Sequence, residues 1–189
     1  MNQDFNLGYL CTTQQCQKGL RAKLALRIIS ANSVDYQEQT YGQLDLSSNT
    51  DANVLESLGL TSGNQVFIYL PRTTDYYPLF LGALMPNLVV CPLFSNFGPD
   101  ALLYLISGST PKVIVTKASL YHRIEKILPQ LSNLLAVILV DESMATNSIL
   151  QSLEELRSRV PKTYKMPSTE PKTPSILHFT SGLWDEMMM

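Results

Sequence analysis

The chain has 189 residues, which at roughly 150 residues per domain is one domain, or one and part of another. Hydrophobic residues make up 45% and charged residues 16%, the latter below the average of about 25%, so a core is expected and a disordered tail is excluded. The net charge of −2 gives no electrostatic reason to bind nucleic acid, and three cysteines (Cys11, Cys16, Cys91) are too few and too uneven for a disulfide scaffold.

The N-terminus MNQDFNLGYLC has no basic region followed by an apolar run, so no secretory signal is read there. Together with the sparse cysteines this points to a reducing, cytoplasmic setting. Residues 22–29 partly alternate and predict a strand, leading into a hairpin through 34–39. Thr40 and Gln43 have capping-box spacing and open a helix, which Gly59 closes after Leu58. Its apolar face carries Leu44, Val54, Leu55 and Leu58, with Asp51 in the middle where an apolar residue is expected.

Residues 66–70 (VFIYL) predict a buried strand ended by Pro71. Asp75 is a candidate cap for the next helix, with Pro78 in its first turn and an end near Met85. The uncharged stretch 76–94 approaches the ~20 residues of a membrane span, but Pro86, Asn87 and Pro92 interrupt it. It reads as helix, turn and buried strand, with no membrane partner. Further elements follow: strand 88–93, helix 99–106, strand 113–116, helix 120–128, strand 136–140, helix 148–159, a four-proline loop 161–174 and a strand 175–179. Solidly apolar short strands alternating with helices predict an α/β fold, a mostly parallel sheet covered by helices on both faces. Ligands in such sheets bind beyond the carboxyl ends of the strands.

Few residues carry chemistry on their own. Cys11 and Cys16 lack a second ligand pair, so no metal site is read there. Cys91 reads as a core thiol, His122 with Arg123 and Lys126 as a solvated face, and Glu154 and Glu155 as neighbours pointing apart. The strand entering Thr180, Ser181 and Gly182 is a weak candidate for a phosphate-cradling loop, because small residues let backbone N–H groups approach phosphate oxygens.

At that point the chain resembles a family. Leu-His-Phe-Thr-Ser-Gly, ending at Gly182, is similar to the opening of the phosphate loop of AMP-forming acyl-CoA synthetases. Tyr41-Gly-Gln-Leu, the segment from Val66 to Arg72, Phe80-Leu-Gly-Ala-Leu, Val89 to Ser95, Phe97-Gly-Pro-Asp-Ala, Lys112 to Thr116 and Val137 to Asp141 match in order. By wording the branch is acetate–CoA ligase, and the resemblance covers the family's N-terminal part only.

The resemblance implies the N-terminal subdomain of the adenylate-forming fold, incomplete: residues 1–40 an extension with the hairpin, 41–160 the α/β core of the AMP-binding domain, and 161–189 the proline-rich loop and phosphate-loop strand. It implies ATP, Mg and coenzyme A as family cofactors and acetate as substrate, activated to acetyl-adenylate with release of pyrophosphate. Thr180, Ser181 and Gly182 would be the ATP phosphate-loop remnant. Phe94, Ser95 and Asn96 would lie near coenzyme A, with Lys117 and Arg123 as basic candidates for its nucleotide end.

The chain departs from that pattern after Gly182, where Asp185 and Glu186 stand in place of a Gly-rich continuation and its lysine. Asp51, Pro86-Asn87 and Pro111 also depart and read as drift. The expectation is a truncated, inactive chain with no catalytic residue and no cofactor bound well, prone to self-association through exposed apolar surface. Asp51 is expected to be buried without a partner, so that Asp51→Leu would stabilise the chain. Two other readings remain: a non-catalytic binding or interaction module of the same fold, and an unrelated flavodoxin-like α/β domain.

Overall fold

A computed structural model describes residues 5–29, 35–141 and 149–179. Strands β3 (Gln65–Tyr69), β4 (Val89–Leu93), β5 (Pro111–Thr116), β6 (Ala136–Leu139) and β7 (Leu150–Ser152) form a five-stranded sheet in the order β4-β3-β5-β6-β7. Every pairing in it is parallel. Helices α3 (Tyr41–Ser57), α4 (Tyr76–Leu84) and α7 (Leu153–Ser158) cover one face, and α5 (Pro99–Ser107) and α6 (Ala118–Glu125) the other. The predicted α/β class is the observed one.

Burial on both faces explains why the strands are solidly apolar. In β3, Val66 and Ile68 point into the α3/α4/α7 layer, while Phe67 and Tyr69 point into the α5/α6 layer. All four are essentially inaccessible. Each such side chain is worth about 1.5–3 kcal/mol of transfer free energy.

The N-terminal residues form α1 (Leu7–Cys11), a short helix α2 (Thr13–Gln15) and a wider turn, Cys16–Leu20; α1 packs beside α4 and the turn beside α3. Asn6 anchors them. Its side-chain amide is buried and donates to the carbonyls of Leu84 and Met85 and to Thr169. A separate antiparallel hairpin follows, β1 (Leu24–Ile29) with β2 (Tyr36–Thr40). It feeds directly into α3, whose capping box is present in full: Gln43 N donates to Thr40 Oγ1 and Thr40 N to Gln43 Oε1. Gly59 at φ 85° ends that helix as expected.

The stretch 76–94 is a nine-residue helix, a turn at Pro86-Asn87 with Asn87 at φ 60°, and β4. Among the described residues no helix is long and apolar enough to cross a membrane. Helices α3 and α4 cross closely because Gly82 has no side chain: a Cβ there would sit 2.7 Å from Ser48 O and 2.9 Å from Asp51 Cβ.

Four readings need correction. Residues 148–159 are not one helix. Leu150–Ser152 pairs with β6 as β7, and only Leu153–Ser158 is helical, capped by Ser152 Oγ accepting from Glu155 N. A strand needs a neighbour, and this one lies across the crossover, so the helical leucine spacing misled. Within 175–179 the pairing is a single parallel bridge, Val90 with Ile176.

Asp51 is fully buried and on the core side, as expected, but it has a partner. Arg157 Nε and Nη2 donate to its two carboxylate oxygens at 2.7 and 2.8 Å. Burial pushes the Asp51 carboxyl up from the ordinary carboxylate range, and Arg157 pulls it back. Asp75 does not cap α4 through its side chain; its carboxylate accepts from Arg157 Nη1 at 2.7 Å. One guanidinium thus ties α7 to α3 and to the start of α4. Pro111 opens β5, where the missing N–H costs least.

Candidate functional site at the carboxyl edge of the sheet

Parallel strands bring their carboxyl ends to one edge, and the loops there collect the polar groups. Thr116, buried at the end of β5, donates its hydroxyl to Tyr69 O at 3.0 Å and locks the ends of β3 and β5 together. Tyr69 then points its hydroxyl at the turn after β4. The Tyr69 Oη donates to Phe97 O at 2.7 Å, with Ser95 O at 3.3 Å.

Arg123 reaches the same turn from α6. Its Nη1 lies 3.2 Å from Tyr69 Oη, 3.1 Å from Ser95 O and 3.3 Å from Phe97 O. Arg123 is therefore not part of a solvated face, although His122 and Lys126 on the same helix are exposed. The helical period separates them: Arg123 falls on the sheet side and its neighbours do not. Backbone carbonyls of a tight turn satisfy a guanidinium without a carboxylate.

Of the residues singled out for coenzyme A, Phe94, Ser95, Asn96 and Arg123 meet in one place. Phe94 is 60% exposed and stands edge-on to Phe97 at 5.5 Å. Lys117 lies at the start of α6, half-buried, and no contact in the structure carries it to the turn. Asp141, at the end of β6, accepts from Ala118 N at 2.8 Å and caps that helix. Thr180, Ser181, Gly182, Asp185 and Glu186 lie outside the described residues.

A pocket of about 350 Å³ opens between the ends of β3 and β4, lined by Leu70, Pro71, Arg72, Phe94, Ser95 and His178 among others. His178, two residues before Thr180, is exposed there. Phe179 packs on Phe67 with ring centroids 6.2 Å apart, so the last described residues run over the α5/α6 face. Tyr69 was missed by sequence reading. It sits inside an apolar run, and its partners are 26 to 54 residues away, so no local spacing could announce it.

The remaining chemistry-bearing residues lie elsewhere. Cys91 is buried in β4 and burial pushes its thiol up to about 12, which makes it an inert core thiol. Cys11 is exposed and Cys16 partly so, and burial raises both thiols. Glu155 pairs with Arg159 on its own helix, and Glu154 is exposed. Among the described residues no group of three His, Cys, Asp or Glu side chains could hold a metal ion.

A parallel sheet with its loops gathered at one carboxyl edge defines a helix-covered α/β architecture. Its fold is that of known ligases. The crystal structure of a Brucella canis acyl-CoA synthetase superposes with a TM-score of 0.77 at 24% identity, over 94% of this chain and 31% of that one. A Mycobacterium tuberculosis fatty acyl CoA synthetase gives 0.76 at 22% identity, over 96% and 34%.

The model of the AMP-binding enzyme family matches residues 14–182, and the chain belongs to that family. Acetyl-coenzyme A synthetase of Bacillus subtilis is 26% identical over 178 residues, 94% of this chain and 30% of that protein. Acetyl-coenzyme A synthetase of Leptospira biflexa is 30% identical over 111 residues, 59% of this chain and 17% of that protein. The chain thus spans about 30% of the Bacillus relative's length.

Proposed function

We propose that this chain is the N-terminal scaffold of an AMP-forming acetate–CoA ligase and that residues 1–189 alone do not catalyse the reaction. The observation that carries the reading is the match to the Bacillus acetyl-coenzyme A synthetase, which runs through 94% of this chain and covers 30% of the relative. In this reading acetate reacts with ATP to give acetyl-adenylate and pyrophosphate, and coenzyme A then takes the acetyl group. Thr180, Ser181 and Gly182 supply backbone and hydroxyl donors to the ATP phosphates. The turn from Phe94 to Asn96 forms a wall for coenzyme A, with Lys117 offering a cation.

Arg123 fits this site differently from a direct ligand. Its Nη1 is occupied by Tyr69 and the two turn carbonyls, so it shapes the wall. Adenylation depends on positioning and charge compensation around the phosphates, and Asp185 with Glu186 adds like charge near that loop in sequence. ATP and Mg are therefore held poorly by these residues alone. The exposed apolar side chains Ile29, Tyr36, Phe94 and Leu135 support self-association of the isolated chain.

The test is exchange of labelled pyrophosphate into ATP by purified residues 1–189. No acetate-dependent exchange is expected. Acetate-dependent exchange that is abolished by Thr180→Ala would overturn the inactivity and make the chain a minimal enzyme.

A further inference from the structure

The proline-rich segment 161–174 runs from α7 to the edge of the sheet with little burial of its own. Within it only Met166 and Thr169 are buried. Side chains of α3 hold its start: Asn53 Nδ2 donates to Pro161 O and Thr163 O, both at 2.9 Å, and Asn49 Oδ1 accepts from Tyr164 N at 3.0 Å. Its continuation meets β4, where Val90 N donates to Ser175 O at 2.9 Å and Leu177 N donates to Val90 O at 3.0 Å. The pairing stops at that one bridge for a covalent reason. Alternate residues of a parallel strand face the same neighbour, so the next donor on this edge of β4 would be residue 92, and Pro92 has no N–H. Ordering each residue costs conformational entropy comparable to what one hydrogen bond returns, so a single bridge does not hold residues 175–179 in place unaided.

Just upstream the segment is gripped by a buried cluster of three side chains. Thr169 Oγ1 donates to Asn87 Oδ1 at 2.6 Å and accepts from Asn6 Nδ2 at 3.0 Å. Asn87 Nδ2 donates to Ser168 O at 3.0 Å. Asn6, Asn87 and Thr169 are all buried, where hydrogen bonds face little competition from water. Asn87 stands at φ 60°, a conformation that asparagine tolerates and glycine adopts freely. Glycine would therefore serve the turn after α4 equally well. Only the asparagine amide also reaches residues 168 and 169, so a residue that reads as drift in the sequence has a task in the fold.

We infer that Asn87 is a positioning residue, which with Asn6 and Thr169 sets the line along which residues 175–179 lie on β4 and so the direction from which the chain enters Thr180. Its bearing on nucleotide binding rests on the reading of Thr180, Ser181 and Gly182 as the phosphate loop. Donors to a phosphate act best when they are placed before the ligand arrives, and a segment already anchored loses less freedom on binding.

Cys91 reports the position of this segment. It is buried in the cluster against which Leu177 and Phe179 pack, and the Leu177 amide bears on its thiol. Residues 1–189 are labelled with N-ethylmaleimide, and the three thiols are followed separately by mass spectrometry. No nucleotide is present, so a failure here strikes the anchor and not the phosphate-loop reading. Asn87→Gly is expected to speed the labelling of Cys91 about tenfold, the size of one or two net hydrogen bonds, and to leave Cys16 unchanged. Thr169→Val should do the same, while Thr169→Ser, which keeps the hydroxyl, should label like the parent. Asn87→Gly combined with Thr169→Val should be little faster than Asn87→Gly alone, because both remove one shared contact. The opening is local, so the Cys91 rate should not rise in dilute urea, and hydrogen exchange of Val137 to Leu139 in β6 should stay as in the parent. Unchanged Cys91 labelling in Asn87→Gly, or Thr169→Ser as fast as Thr169→Val, overturns the proposal. So does faster labelling accompanied by faster exchange in β6, which would make Asn87 a general stabiliser of the fold and not a positioning residue.

Discussion

The five-stranded sheet and strand β1 of the hairpin share apolar residues and meet opposite fates. Strand β1 (LALRII) carries Leu and Ile as the sheet strands do, while its partner β2 (YQEQT) is mostly polar. In β3, β5 and β6 nearly every side chain is buried. In the hairpin no residue of either strand is fully buried, and Leu24, Ile29 and Tyr36 are 40%, 62% and 59% exposed. Composition alone therefore does not decide burial. The sheet has helices on both faces, while among the described residues the hairpin packs chiefly on α3. A two-stranded ribbon is marginal in water without such cover. What holds this one is local: Arg27 pairs with Glu38 at 2.6 Å and lies over the Tyr36 ring at 5.0 Å. Exposed contacts of that kind contribute about 0–1 kcal/mol each.

The sharpest way to test the contrast is Phe67→Ala. Phe67 is inaccessible in β3, between the α5/α6 layer and Phe179. Truncation leaves a cavity that the paired strands cannot close, and a loss of about 4 kcal/mol is expected. A urea unfolding curve measures it. A loss below about 1 kcal/mol would mean that the layer relaxes freely, and the sheet would then be no more rigid than the hairpin.

A smaller but more specific effect is expected at Asp51. The carboxylate is inaccessible and gripped by two nitrogens of Arg157, so Asp51→Leu leaves a largely desolvated guanidinium with Asp75 alone. Breaking a buried pair costs about 3–5 kcal/mol, and the remaining Asp75 contact puts this case near about 3. Adding Arg157→Met should restore most of it, because replacing a whole buried pair by apolar groups is close to neutral. A midpoint raised by Asp51→Leu alone would restore the reading of Asp51 as an unpaired defect.

These two residues also mark how far the sequence could be read. The parallel α/β class, the capping box at Thr40 and the break at Pro86-Asn87 were legible, because each depends on neighbours within a few residues. The core-facing position of Asp51 followed from helical period. Its partner did not, because Arg157 is 106 residues away and approaches from another helix. The same reason hid β7, which is a strand only because β6 lies beside it, and the Tyr69–Arg123 clasp on the turn at Ser95 and Phe97. At the candidate site the turn was found from the family resemblance. What stabilises the turn was found only from the fold.

The smallest expected effect completes the comparison. Ile29 is an isoleucine like Ile68 in β3, yet it is 62% exposed and Ile68 is not exposed at all. Ile29→Ser should therefore change the urea midpoint by no more than about 0.5 kcal/mol, as for other surface positions. Its expected effect lies outside folding. Ile29 and Tyr36 face each other across the ribbon and form an apolar pair open to solvent. Such patches drive association, and a chain of net charge −2 has little repulsion to oppose it. Ile29→Ser should lower both the binding of a hydrophobic dye and the apparent mass in sedimentation at high concentration. A loss of 2 kcal/mol or more would instead show that the hairpin's outer face is packed in solution as tightly as the sheet, and the distinction between the two regions would fail.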